Sequence, residues 1–173
     1  PKKNIMIVGG GPAGLECAYV AAQRGHEVHV YDKRKELGGT ILEASKAPYG
    51  DDELMTCIRY QKVQCEKAGV QFHLGTEVTE DLVKDELPDS VVLATGPVYP
   101  KSKAPGFDTA NVVNVLDVLR GDAKVGESIV VWGNRKPGIG VALSLAKQGK
   151  KVTLVGKEKS AGFDINPSFK WRY

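Results

Sequence analysis

The 173-residue sequence predicts an α/β fold, a mainly parallel sheet with crossover helices built as two nucleotide-binding units, and three observations carry that prediction. A strand-turn-helix-strand pattern occurs twice: Gly9, Gly14, Ala18, Gly25 and Val28 recur 124 residues later as Gly133, Gly138, Ala142, Gly149 and Val152. The apolar run Ile5 to Val8 recurs at the same spacing as Ile129 to Trp132. Strands also alternate with helical stretches, a pattern that favours parallel pairing because each helix carries the chain back to the same end of the sheet.

In the first unit the strand Ile5 to Val8 feeds Gly9-Gly10-Gly11-Pro12-Ala13-Gly14, and Leu15 to Arg24 reads as a helix ended by Gly25. Gly9 allows the tight turn, Gly11 lets a pyrophosphate approach bare backbone, and Gly14 lets the helix pack closely on the sheet. Phosphates then sit at the helix N-terminus, where unpaired N–H groups and the dipole favour anions. The next strand, Glu27 to Tyr31, ends at Asp32, 23 residues after Gly9, where a carboxylate can accept hydrogen bonds from ribose hydroxyls. A glycine turn with no ligand leaves the agreement of strand, helix and acid unexplained.

The second unit departs from this pattern at two places. Arg135 stands at the position of Gly11, and Gly156 replaces Asp32. On one reading this is a weaker nicotinamide-nucleotide site in which Gly133 and Gly138 shape the turn while Asn134, Arg135 and Lys136 meet phosphate. The missing acid, with Lys157 and Lys159 nearby, then leans towards NADPH over NADH. On the other reading it is a relic fold that holds no nucleotide.

Between the two units, Asp51-Asp52 precede an amphipathic helix with Leu54, Ile58 and Cys65 near one face, ended by Gly69, so that acids lie at its positive end. Val70 to Leu74 alternates as a strand, and Val91 to Leu93, expected as a buried strand, exits into the small residues Thr95-Gly96. Pro97, Pro100 and Pro105, with Gly96 and Gly106, mark the way out of the first lobe, which gives a boundary near residue 105.

Composition, with 42% hydrophobic and 26% charged residues, is that of a globular α/β chain, and no apolar run reaches membrane-spanning length. The net charge of +3 is spread among acids, and Lys33-Arg34-Lys35 reads as a solvated loop without an aromatic platform, so neither nucleic acid nor membrane is an expected partner. The chain begins at its first strand with no signal peptide, and the expected location is cytoplasmic. Cys17, Cys57 and Cys65 form no Cys-x-x-Cys pair or zinc spacing and read as reduced thiols; His26, His29 and His73 have no partner identifiable from sequence and are assigned no catalytic role. No metal site is expected.

Five motifs in order resemble the FAD/NAD(P)-binding flavoproteins of the glutathione and thioredoxin reductase superfamily: Gly9 to Asp32, Glu36-Leu37-Gly38-Gly39, Gly75 to Thr79, Val92 to Gly96, and Ala104-Pro105-Gly106. Lys46 to Pro48, the helix before Gly69 and Asn111 to Leu119 resemble the branch fused behind a flavin barrel, that of 2,4-dienoyl-CoA reductase, trimethylamine dehydrogenase and old yellow enzyme-type NADH:flavin oxidoreductases. The resemblance implies a Rossmann-like FAD/NAD(P)-binding fold with an FAD lobe over residues 1–105 and a partial NAD(P) lobe over 106–173.

It further implies FAD, or its ADP moiety, on Gly9, Gly11, Pro12, Ala13 and Gly14, with Asp32 on the adenosine ribose and Lys33 beside it. Gly38, Gly39 and Thr40 would line the path to the flavin, the backbone of Val78 would face adenine, and Thr95 and Gly96 would close over the phosphates. NAD(P)H would be the second cofactor. On this resemblance the chain is expected to be a truncated part of a flavin-dependent oxidoreductase moving electrons between NAD(P)H and FAD. Its partner would be an upstream flavin-barrel domain of the same polypeptide, which would carry any FMN and iron–sulfur cluster. The alternatives are a module that holds ADP or FAD structurally and an inert scaffold docking a barrel. Protein groups in such a domain position the cofactor rings, so no catalytic side chain is expected.

Overall fold

The computed structural model describes residues 1–48, 51–98, 102 and 104–172. They fall into two compact units: residues 1–42 with 54–98, and the described residues of 43–53 with those from 102 onward. The first unit ends at residue 98, and the described residues of 43–53 pack in the second unit.

The first unit contains β1 (Asn4–Val8), α1 (Pro12–Gln23) and β2 (Glu27–Asp32); α2 (Ile41–Ala44) spans the break between units. It continues with α3 (Leu54–Lys67), β3 (Gln71–Leu74), α4 (Glu80–Glu86) and β4 (Ser90–Leu93). The strands form one parallel sheet in the order β3-β2-β1-β4. Alternation along β2 sends Val28 and Val30 into a core with Ile7, Leu15, Ala18, Ile58 and Cys65, so α1 and α3 cover that face. Helix α1 starts at Pro12, earlier than the hydrophobic pattern indicates, since proline in the first turn forfeits no intrahelical hydrogen bond.

The short helices come from capping rather than periodicity. Thr79 accepts the Leu82 N–H at 3.2 Å to start α4. In the second unit Asn114 accepts the Leu116 N–H at 2.9 Å to start α5 (Val115–Arg120), which ends at Gly121 with φ 87°. Then follow β5 (Ser128–Trp132), α6 (Lys136–Lys147) and β6 (Lys151–Val155). Strands β5 and β6 pair in parallel with Ser128 opposite Lys151, just as Asn4 lies opposite Glu27, so the sequence repeat is also a repeat of register. Val131, Val141 and Leu145 centre this unit's own core. No helix among the described residues is long and apolar enough to cross a membrane.

Candidate nucleotide-binding site

At the end of β1, Gly9 has φ +115° and donates its N–H to the Tyr31 carbonyl at 2.7 Å. A Cβ on Gly9 would lie 2.2 Å from the Ala94 carbonyl oxygen, one on Gly14 would lie 1.9 Å from the Gly9 carbonyl oxygen, and one on Gly10 would meet Leu37 Cδ2 at 2.6 Å. Backbone therefore requires Gly9 and Gly14 to be bare, whereas a methyl on Gly10 would meet only the end of the Leu37 side chain at that distance. Gly11 is different. Its φ of −79° and ψ of 178° suit any residue, and a Cβ there would come no closer than 3.7 Å to Gly39 Cα. Gly39, at φ +55°, faces it from the other side, and the two glycines oppose one another as bare backbone at the N-terminal end of α1.

Asp32 organises this mouth. One carboxylate oxygen accepts the Gly10 N–H at 2.7 Å and the other accepts the Arg34 N–H at 2.8 Å. Gly38 donates to the Gly10 carbonyl at 2.8 Å, and the Arg34 guanidinium donates to the Gly39 carbonyl at 3.0 Å. Arg34 is thus half-buried and pins the loop, unlike exposed Lys33 and Lys35; a basic run gives no sign of which member folds inward. The Thr76 N–H bonds the Asp32 carbonyl at 2.9 Å and leads to half-buried Val78. Pro12 and Thr40 are half-buried and Ala13 is exposed, while Thr95 and Gly96 lie exposed beyond β4, whose exit passes directly against Gly9. Most of the first-unit residues expected from sequence lie on one turn, its covering loop and the β4 exit, while Val78 follows β3.

The second turn copies the backbone and changes the contents. Gly133, at φ +118°, donates to the Val155 carbonyl at 2.7 Å, and a Cβ on Gly138 would lie 1.8 Å from the Gly133 carbonyl oxygen. Buried Asn134 donates from its amide to the Glu158 carbonyl at 2.9 Å and fills the space beside Gly156, where a Cβ would come within 2.1 Å of Asn134 Cγ. The first unit's Gly10–Asp32 pair is replaced by Asn134–Gly156, the same gap filled from the opposite side. The Arg135 guanidinium lies over the Phe163 ring at 4.9 Å and 4.0 Å from Glu158, and the Lys136 N–H faces the Asp164 carboxylate at 3.1 and 3.3 Å. The groups of Asn134, Arg135 and Lys136 expected to meet phosphate are here engaged by residues 158–164, while Lys157 and Lys159 are exposed.

Two histidines meet partners that the sequence alone does not identify. Parallel register sets Tyr31 opposite His73, so His29 Nδ1 lies 3.0 Å from His73 Nε2 and Tyr31 stacks on the His73 ring at 4.3 Å. Burial, aided by the charge of His29, lowers the His73 pKa against the opposing pull of Glu86. Cys17, Cys57 and Cys65 are free thiols. Cys65 is buried, donates to the Leu15 carbonyl at 3.3 Å, and has its pKa pushed up to about 11, chiefly by burial.

Residues 3–164 match the sequence model of the pyridine nucleotide-disulphide oxidoreductases. The chain belongs to this family. It is 35% identical over 170 residues to an NADH oxidase of Thermoanaerobacter brockii, covering 96% of this chain and 26% of that protein. A cinnamate reductase of Clostridium sporogenes is 36% identical over 153 residues, covering 88% and 23% respectively. The solved structure of a 2-naphthoyl-CoA reductase superposes with a TM-score of 0.92 at 40% identity, covering 98% of this chain and 26% of that chain. The domain thus spans about a quarter of the length of these relatives.

Proposed function

We propose that the first unit holds the ADP half of FAD and that the second receives a nicotinamide nucleotide, so that the domain serves hydride exchange between NAD(P)H and FAD within a larger flavoenzyme. The observation that carries this reading is the opposition of Gly11 and Gly39. The fold does not require Gly11 to lack a side chain, and a diphosphate at the α1 N-terminus does. Asp32 keeps lone pairs for the ribose while its backbone bonds fix its direction, with Lys33, Val78, Thr40, Thr95 and Gly96 around the remainder of the cofactor. When bound, FAD supplies the electron-accepting ring; the residues here supply position and charge. The names of the NADH oxidase and the two reductases support an oxidoreductase role for the whole protein. An upstream flavin-bearing domain is the partner this reading carries, and the exposed Lys157 and Lys159 favour NADPH.

The test is titration of FAD and ADP into the wild type, Gly11→Val and Asp32→Ala. We expect about tenfold or greater weakening in each variant, because one blocks the diphosphate and the other removes charged hydrogen bonds. Unchanged affinities would refute the site. A holding module without hydride exchange is the second reading, favoured by the engagement of the second turn by residues 158–164. Anaerobic mixing of the FAD-loaded protein with NADPH separates the two: bleaching of the flavin supports exchange, and persistent colour with both nucleotides bound supports holding.

A further inference from the structure

The internal repeat extends beyond its visible identities. Gly38 and Gly162, again 124 residues apart, each donate an N–H at 2.8 Å to the second residue of their turn, Gly10 and Asn134. Ile41 and Ile165 bond back to Gly38 and Gly162 at 3.1 and 3.0 Å. The loop after the second strand therefore crosses the turn in the same way in both units. What it presents there differs: Phe163 stands for Gly39, and Asp164 for Thr40. The first mouth is bare backbone on both sides, whereas the second holds an Arg135–Phe163 stack and a carboxylate on the first amide of α6.

We propose that residues 158–165 form a strap that latches the second turn, with Asp164 taking the place of a nucleotide diphosphate, so that a dinucleotide enters only by displacing it. This rests on the reading of the second unit as a nicotinamide-nucleotide site. The amides and dipole at the start of a helix attract an anion, and the Asp164 carboxylate already occupies that position. A diphosphate needs the same donors and is repelled by the resident charge. Phe163 meanwhile holds the Arg135 guanidinium, and the bonds from Asn134 to Glu158 and from Gly162 to Asn134 fasten both ends of the strap. Displacement subtracts from nucleotide affinity in proportion to the population of the latched state.

The test is an amide-resolved NMR titration of the whole chain with NADPH and with NADH, using the wild type, Asp164→Asn and the Phe163→Gly/Asp164→Asn double variant. The amides of Gly10 and Gly11 report the first turn; those of Lys136 and Gly138 report the second. Without nucleotide, Asp164→Asn should speed hydrogen exchange at Lys136; an unchanged rate overturns the latch. With NADPH, Asp164→Asn should bind at the second turn roughly three- to thirtyfold more tightly, with the first turn unaltered. Saturating the wild type should release the Gly162 amide while Lys136 stays protected. Equal second-turn affinity in wild type and variant, or a Gly162 amide that stays protected at saturation, overturns the strap and leaves the nucleotide site standing. No response at the second turn in any of the three proteins overturns both.

Discussion

At the scale of single residues, the glycines of the first turn separate into those kept by the fold and one left free by it. Gly14→Ala would press a methyl against the Gly9 carbonyl, where the overlap is with backbone, and should cost roughly 1–3 kcal/mol. Gly11→Ala meets no such contact in an extended conformation open to alanine, and should stabilise the chain by about 0.4–1 kcal/mol by restricting the unfolded state. Urea unfolding of the two variants checks this, and destabilisation of similar size in both would remove the distinction. The motif already gives Gly14 a packing task and Gly11 a different one; the geometry of an added Cβ adds that Gly14 meets backbone while Gly11 meets nothing closer than 3.7 Å. Arg34 illustrates a limit of the sequence, since its inward turn depends on the Gly39 carbonyl, which no local pattern announces. The thiols supply a second residue-scale prediction. With its pKa pushed to about 11 and its side chain buried, Cys65 should resist alkylation in the native protein, while exposed Cys57 reacts; mass spectrometry of briefly labelled protein reads out both.

At the scale of elements, the pairing of β2 with β3 builds the His29–His73–Tyr31 group from residues that sequence separates widely. Both strands are legible from alternation, but the register that opposes Tyr31 to His73 is a property of the pair. Burial first, and the charge of His29 second, depress the His73 pKa in the folded state, with Glu86 acting in the opposite sense. The unfolded chain therefore binds a proton near pH 6.5 that the folded chain refuses, so the unfolded state carries more protons between the two pKa values. The resulting stability is fully present above about pH 6.5 and is lost as pH falls through the folded value. Thermal unfolding from about pH 7.5 down to about pH 5.5 should show a drop in wild type that is smaller in His73→Phe. An identical pH dependence in the two proteins would exclude His73 as its source. Helices α4 and α5 show what alternation and periodicity miss: with seven and six residues, they are defined by their Thr79 and Asn114 caps more than by an apolar stripe.

At the scale of the molecule, the duplication is legible because β1–β2 and β5–β6 keep their register and their glycines, while the assignment of residues 43–53 to the second unit is not. In sequence Glu43 is an ordinary acid in a short helix. In the structure it is 1% exposed and accepts from the Arg120 guanidinium at 3.1 Å, and Arg120 also bonds Asp117 and Asp122. This contact joins positions 77 residues apart, which no spacing rule links. Burial works against the charge on Arg120, but hydrogen bonds to Asp117 and Glu43 outweigh it and raise the guanidinium pKa, so Arg120 stays a cation across the working range. Arg120→Ala removes the cation facing a buried carboxylate and should cost roughly 2–3 kcal/mol, less than for a fully buried pair because the Arg120 side chain is 33% exposed. Hydrogen exchange should then accelerate at Lys46 and Ala47, whose amides bond Glu43 and Ala44, and remain slow at Gly9 and Ala94 in the first unit. The Glu43→Gln/Arg120→Met double variant should recover most of the loss, because it removes the buried carboxylate charge together with the cation that faced it. Acceleration of equal size in both units would show that Arg120 supports the chain as a whole rather than the attachment of residues 43–53, and would remove this account of the break at α2.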